Sequence, residues 1–211
     1  MVSVGRRQRS SHAVARRRTV VRRRRTVLAG VCVGVLAVVV VLALPTFRKA
    51  VNEFTLPLAY QDVIREQAVD KHLDPALIAG VIYAETKFDP RPSAAGAQGP
   101  MQLMPQTAEF LAHRSGATSF TLSDLATPRV NIAYGSYYLR YLLDEYGGKI
   151  VPALAAYNAG EANVSRWLER SRRHRLELRE IPFPETRAYV SRVLQAQHDY
   201  RHSYATQLGY R

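Results

Sequence analysis

The residue whose type and position most invites chemistry is Glu85, in the stretch IAGVIYAETKFDPRPSAAGAQGPMQLMPQTA. It closes an apolar run containing Ile78, Val81, Ile82 and Tyr83. At the C-terminal end of a buried helix the backbone dipole is negative, and apolar neighbours strip water from a carboxyl. Both effects disfavour the ionised form. A carboxyl kept protonated near neutral pH can act as a general acid. The bland alternative is a glutamate at a helix end that points into water. Two further segments, GAQGPMQLMP and AAYNAGEANV, are more specific than ordinary packing requires. No His/Cys/Asp cluster has metal-ligand spacing, and no glycine-rich loop follows a strand as nucleotide binding requires. The expectation is therefore no metal and no organic cofactor.

These groups must be held by helices, because from Gln61 onward the pattern is helical nearly throughout. There is no convincing strand alternation and no repeat. A first helix is expected from about Tyr60 to His72, with Tyr60, Val63, Ile64 and Ala68 on one face. Asp74 is a natural N-cap and Pro75 suits the first helical position, so 75–86 reads as a buried helix, ended by Asp89-Pro90 and Pro92. Further helices are expected to begin near Pro105, at Pro128 (stopped by Gly147-Gly148), over Ile150–Tyr157, after a turn at Asn158–Gly160, and at Pro184. Residues 170–180 form a charge-dense connector. Six to eight helices in about 150 residues suffice for one core, giving an all-α fold class.

The N-terminal region differs in kind. The chain of 211 residues has a formal charge of +13, but residues 1–25 carry ten arginines and no acid. The remainder is nearly balanced. The tail has no aromatics to stack on bases, which argues against nucleic acid as a partner. Residues 26–44, TVLAGVCVGVLAVVVVLAL, are uncharged, and as a helix would rise about 28 Å, close to a bilayer's hydrocarbon thickness. A transmembrane helix is expected there, with a basic cytoplasmic tail at 1–25 by the positive-inside bias, a linker at 45–60, and an extracytoplasmic domain at 61–204. A cleaved signal peptide, ending near Val41–Ala43, is the alternative; the long apolar segment favours a retained anchor. The single cysteine, Cys32, excludes intrachain disulfides, and Ala29-Gly30-Val31 before it does not match a lipoprotein site.

In order and spacing, Glu85-Thr86, Gly99-Pro100-Met101-Gln102, Ala156-Tyr157-Asn158-Ala159-Gly160 and Glu185-Thr186-Arg187-Ala188-Tyr189-Val190 resemble the catalytic domain of the soluble lytic transglycosylase family, which is lysozyme-like. The resemblance runs from about Tyr60 to Tyr200. It implies that Glu85 is the single acid/base and that Thr86, Met101, Gln102, Tyr157 and Asn158 form the substrate site. Met101 and Gln102 would line the sugar groove, Tyr157 would place its hydroxyl near Glu85, and Asn158 would shape a subsite. Plainer readings stand beside these: Met101 and Tyr157 as core, Asn158 as a left-handed turn residue, and Glu185-Thr186-Arg187 as a helix cap and ion pair. Two positions depart from the family pattern, Thr86 for Ser and Pro100 for Leu. Pro100 has no N–H to offer a glycan.

The resemblance implies a membrane-anchored enzyme that cleaves the MurNAc–GlcNAc bond of peptidoglycan without water and leaves 1,6-anhydro ends. The substrate's own groups replace the second carboxylate that glycosidases use. A hydrolytic muramidase would need a second carboxylate, with Asp124 or Asp144 as candidates. A weak or inactive glycan-binding protein is the third reading. No protein partner is named by the sequence.

Overall fold

In the computed structural model, residues 39–42, 55–171 and 175–210 are described. Val39–Leu42 are helical and exposed; the rest of the expected transmembrane segment at 26–44, the basic tail and residues 45–54 lie outside the described residues. No helix among the described residues is long and apolar enough to cross a membrane. Among the described residues from 55 onward every regular element is a helix. The helices are α1 (Gln61–Asp70), α2 (Pro75–Thr86), α3 (Pro105–Ser115), α4 (Pro128–Glu145), α5 (Ile150–Ala159), α6 (Glu161–Arg170) and α7 (Pro184–Ser203). Two short 3-10 turns, Leu122–Ala126 and Leu178–Glu180, connect them. One isolated antiparallel bridge joins Gln98 and Leu103.

Helix α2 is the axis of the domain. Seven consecutive residues, Ala76 to Ile82, are buried, so it is packed on all sides and needs no amphipathic pattern. Its two ends carry carboxyls with opposite fates. At the N-terminus, Asp74 accepts from the Ala76 amide at 3.0 Å, from Gln197 Nε2 at 2.6 Å, and from Arg201 and Tyr210. Burial pushes its pKa up, but those hydrogen bonds outweigh burial and hold it below the usual range. At the C-terminus, Glu85 has no such set of donors.

The close partner of α2 is α7, and a glycine decides how close. A methyl group at Gly80 would sit 2.9 Å from the Val193 carbonyl oxygen and 3.1 Å from the Gln197 amide nitrogen. Only glycine lets the two backbones cross there. Glu85 lies five residues beyond this crossing on α2, and Tyr189 four residues before Val193 on α7. The crossing therefore sets the approach of the two side chains. We predict that Gly80→Ala destabilises the domain by about 1–3 kcal/mol through overpacking, read as a lower melting temperature; an unchanged melting temperature would show that the contact is soft.

Several expectations shift at element ends. Helix α2 stops not at Asp89-Pro90 but at Lys87 and Phe88, both left-handed at φ 51° and 64°. Two successive non-glycine residues in that region cost of order 1 kcal/mol each. Burial of Phe88 against Tyr60 and Tyr200 opposes this cost. The linker expected to reach residue 60 is already docked by residue 55. Leu56 is buried, and Tyr83, Tyr204 and Tyr200 donate to the carbonyls of Thr55, Leu56 and Pro57. The fold also continues past 204, since Leu208 is buried and Tyr210 reaches Asp74. The ion pair expected for Glu185 and Arg187 does not form among the described residues; Arg187 instead donates to the Arg179 carbonyl, at 3.5 Å.

Candidate active site

Glu85, at the last turn of α2, is half-buried. Burial raises its pKa from 4.5 to about 7, while an interaction with the Tyr189 phenol and the charge of Arg192 pull it part of the way back. No carboxylate is among the groups acting on it. The site is thus a solitary carboxyl that can be protonated or ionised near neutral pH, which is the condition for one group to give and later take a proton.

Two phenols interact with it electrostatically. Tyr157, at the end of α5, donates its hydroxyl to the Met101 carbonyl at 2.9 Å. Burial first, then the charge of Glu85, then Tyr138 keep it protonated far above neutral pH. Tyr138 packs on it with ring centroids 5.3 Å apart. Tyr189 on α7 is buried, and burial first and then Glu85 raise its pKa also. Its hydroxyl has no hydrogen-bond partner of regular geometry, so it is poised beside the carboxyl without being fixed by it.

Tyr189 was not singled out in the sequence. It falls in the helix start PETRAYV, where the cap residues drew attention. The signal lay in its position, three residues past Thr186 on the same helix face, both buried. We predict that Tyr189→Phe lowers kcat/KM by about tenfold, the scale of one polar contact between a phenol and the ionised carboxyl. Because Tyr189 lowers the Glu85 pKa, its removal raises that pKa. The alkaline limb of the pH–activity profile then moves to higher pH. A profile unmoved in the variant would leave Tyr189 with a packing role alone.

The loop between α2 and α3 is built around one asparagine. Asn131 of α4 is fully buried. Its Oδ1 accepts from the Met101 amide at 2.9 Å, and its Nδ2 donates to the Gln98 and Leu125 carbonyls at 2.8 and 3.2 Å. Gly99, at φ 72°, leaves room for it: a methyl group there would meet Asn131 Nδ2 at 2.2 Å. Gly135, one turn further along α4, makes room for Met101 in the same way, with Sδ at 2.4 Å from the missing methyl.

The expected site residues are distributed as follows. Met101 does not line a groove with its side chain; that side chain is fully buried, and only its backbone carbonyl faces Tyr157. The Thr86 hydroxyl is engaged within the fold, bonded to Ile82 O at 3.1 Å and Pro100 O at 2.9 Å. It clamps the loop to the helix that carries Glu85. The two departures from the family pattern meet in this bond, which uses the carbonyl of Pro100 and needs no N–H. Gln102 is half-buried at φ 46° and donates to Gly99 O at 2.9 Å and Arg91 O at 3.2 Å; its Oε1 has no partner among the described residues. Asn158 is exposed and helical, one residue after Tyr157; the positive φ that it was a candidate to supply belongs to Gly160, at 83°.

The carboxylates weighed as a second catalytic group are engaged elsewhere. Asp124 caps the Thr121 amide at 2.8 Å and Asp144 pairs with Arg140 at 2.6 Å. Asp89 pairs with Arg91 at 2.8 Å, and Glu161 accepts from the Tyr141 hydroxyl at 2.9 Å. Among the described residues no group of three or more His, Cys, Asp or Glu could hold a metal ion.

Fold and site together define a helical domain that presents one desolvated carboxyl coupled to two protonated phenols. The chain belongs to the transglycosylase SLT domain family, which it matches over residues 62–178, more than half its length. It is 34% identical over 156 residues to a soluble lytic murein transglycosylase of Salmonella typhimurium, covering 71% of this chain and 24% of that protein. The chain thus spans about a quarter of the length of such relatives. Its structure resembles that of the lytic transglycosylase Slt of Pseudomonas aeruginosa, in an inactive glutamate-to-glutamine mutant, with a TM-score of 0.68 and 32% identity over 73% of this chain and 26% of the other. It also resembles the 70 kDa soluble lytic transglycosylase of Escherichia coli, with a TM-score of 0.67 and 31% identity over 75% and 28% of the two chains.

Proposed function

We propose that this protein is a membrane-anchored peptidoglycan lytic transglycosylase. The observation that carries the reading is the solitary carboxyl of Glu85, titrating at about 7 with no other carboxylate acting on it. Protonated Glu85 gives its proton to the oxygen joining N-acetylmuramic acid to N-acetylglucosamine, and the bond from the anomeric carbon to that oxygen breaks. The neighbouring N-acetyl group stabilises the positive charge left on that carbon. Ionised Glu85 then takes the proton of the same sugar's 6-hydroxyl, whose oxygen bonds to the anomeric carbon. The product is a 1,6-anhydro ring, Glu85 returns to its starting state, and no water is consumed.

Tyr157 and Tyr189, both kept neutral, offer hydroxyls rather than charge beside the reacting centre. The free Oε1 of Gln102 and the exposed amide of Asn158 are available to sugar hydroxyls and N-acetyl groups. The glutamate exchange in the inactive Pseudomonas relative supports the assignment of Glu85 by likeness. The membrane anchor rests on the sequence of residues 26–44, which places the domain against the cell-wall face.

Digestion of purified peptidoglycan with this protein, followed by weighing of the products, tests the reading. Products one water lighter than reducing-end fragments are expected. Reducing ends would make it a muramidase, and undigested wall would leave it a glycan-binding protein.

A further inference from the structure

Ahead of α1, three successive residues are held through their backbone carbonyls. Tyr83 of α2 donates to the Thr55 carbonyl at 3.1 Å, and Tyr204 and Tyr200 of α7 donate to the Leu56 and Pro57 carbonyls at 2.9 and 2.5 Å. The Leu56 side chain is buried in the core. Residues 55–57 thus form a strap bonded to both of the helices that cross at Gly80.

Tyr200 carries the hold of this strap to the turn that bears Glu85. It is fully buried, and its ring meets Tyr83 at 6.0 Å and Phe88 at 5.8 Å between centroids. Those two residues stand two positions before and three positions after Glu85. Phe88 is also one of the two left-handed residues that end α2. A backbone in that region persists only where packing holds it. One buried ring therefore braces the turn on both sides of the carboxyl, and the strap fixes the hydroxyl of that ring.

The strap has no charge with which to act on the site. Thr55, Leu56 and Pro57 carry no titratable side chain. The groups that act on the Glu85 carboxyl are Tyr189 and Arg192 from α7 and Tyr157 from α5. Release of the strap would reach Glu85 only through the placement of its turn and the water admitted there. We propose that the strap, acting through Tyr200, positions the last turn of α2, so that Leu56 and Tyr200 are positioning residues for the acid/base at Glu85. The part in catalysis rests on the function proposed above.

A strap that only added stability would leave the carboxyl's titration unmoved, and the test follows that titration directly, without turnover. The full chain, carrying 13C at its glutamate carboxyls, is titrated by NMR in detergent, with Glu85→Gln identifying the resonance. Leu56→Gln undocks the strap without adding a charge. Leu56→Met is the conservative control, and Tyr200→Phe keeps the ring but removes the hydroxyl. Water at the turn weakens the burial that raises the Glu85 pKa. The midpoint is expected to fall by about half a unit in Leu56→Gln and in Tyr200→Phe, and to return in Leu56→Met. In cleavage of soluble glycan strands, the alkaline limb moves to lower pH, the reverse of Tyr189→Phe. Above pH 7 kcat then falls about threefold with KM unchanged, as half a unit depletes the acid form.

An unmoved midpoint in folded Leu56→Gln, or in Tyr200→Phe, would overturn the proposal, even if the melting temperature falls. Should Leu56→Gln fail to fold, Tyr200→Phe decides alone. A wild-type chain whose carboxyl responds to the strap but that cleaves no peptidoglycan would count against the proposed function and not against the strap.

Discussion

Glu85→Gln is expected to abolish cleavage of peptidoglycan, with a fall in kcat of about 10³-fold or more, because in the proposed mechanism one group serves as both acid and base. Glutamine keeps the size and one acceptor but has no proton to hand over and none to reclaim. A second effect separates this from a general loss of fold. Glu85 titrates at 4.5 when unfolded and at about 7 in the domain. Between those values the folded state holds a proton that the unfolded state has released, so wild-type stability falls as pH rises from 4.5 to about 7 and is then level. The full shift corresponds to about 3 kcal/mol, an upper figure for a half-buried group.

Glutamine does not ionise and avoids that loss. The variant is therefore expected to match the wild type in denaturant midpoint at pH 4 and to exceed it at pH 8. Turnover by the wild type should decline above about pH 7, as the acid form is depleted. Residual cleavage within tenfold of wild type would remove Glu85 from its role. An unchanged stability difference between pH 4 and pH 8 would show that the carboxyl is not desolvated.

Asn131→Leu carries the largest expected loss of stability, about 2–4 kcal/mol, because the buried Met101 amide and Leu125 carbonyl lose a partner at once and the half-buried Gln98 carbonyl keeps only the Leu103 amide. The Met101 amide and the Gln98 and Leu125 carbonyls are held by this one side chain. Leucine has nearly the same volume but offers neither donor nor acceptor, so the loss is one of hydrogen bonding and not of packing. The melting temperature should fall on the order of 10 °C. Activity should fall further than the folded fraction explains, since Met101 O is the acceptor that aims Tyr157. A variant that melts like the wild type would mean that water or a loop shift replaces all three bonds.

Much of the domain was legible in its local chemistry. Asp74-Pro75, Pro105, Pro128 and Pro184 mark helix starts, because a fixed φ and a missing N–H suit the first turn and little else. Each predicted start matches the observed one. Glu85 was legible for a similar reason: a carboxyl closing a run of seven buried residues has few solvent directions left. The helix stop at Lys87-Phe88 was not, because neither residue favours positive φ. Burial of Phe88 against Tyr60 and Tyr200 outweighs that local preference.

What the sequence by itself determined is the all-helical order, the buried α2 and the single acid at its end, since these depend on periodicity, capping and neighbours within a few residues. What only the tertiary structure decided is which groups meet that acid. Tyr189 arrives from more than a hundred residues away because Gly80 admits α7. Asn131 turns Met101 inward and leaves its carbonyl to Tyr157. Thr86 is used up on Pro100. Contacts of this kind depend on how closely two backbones approach and on where each buried polar atom finds a partner. Those conditions involve atoms distant along the chain, and no local pattern of residues encodes them.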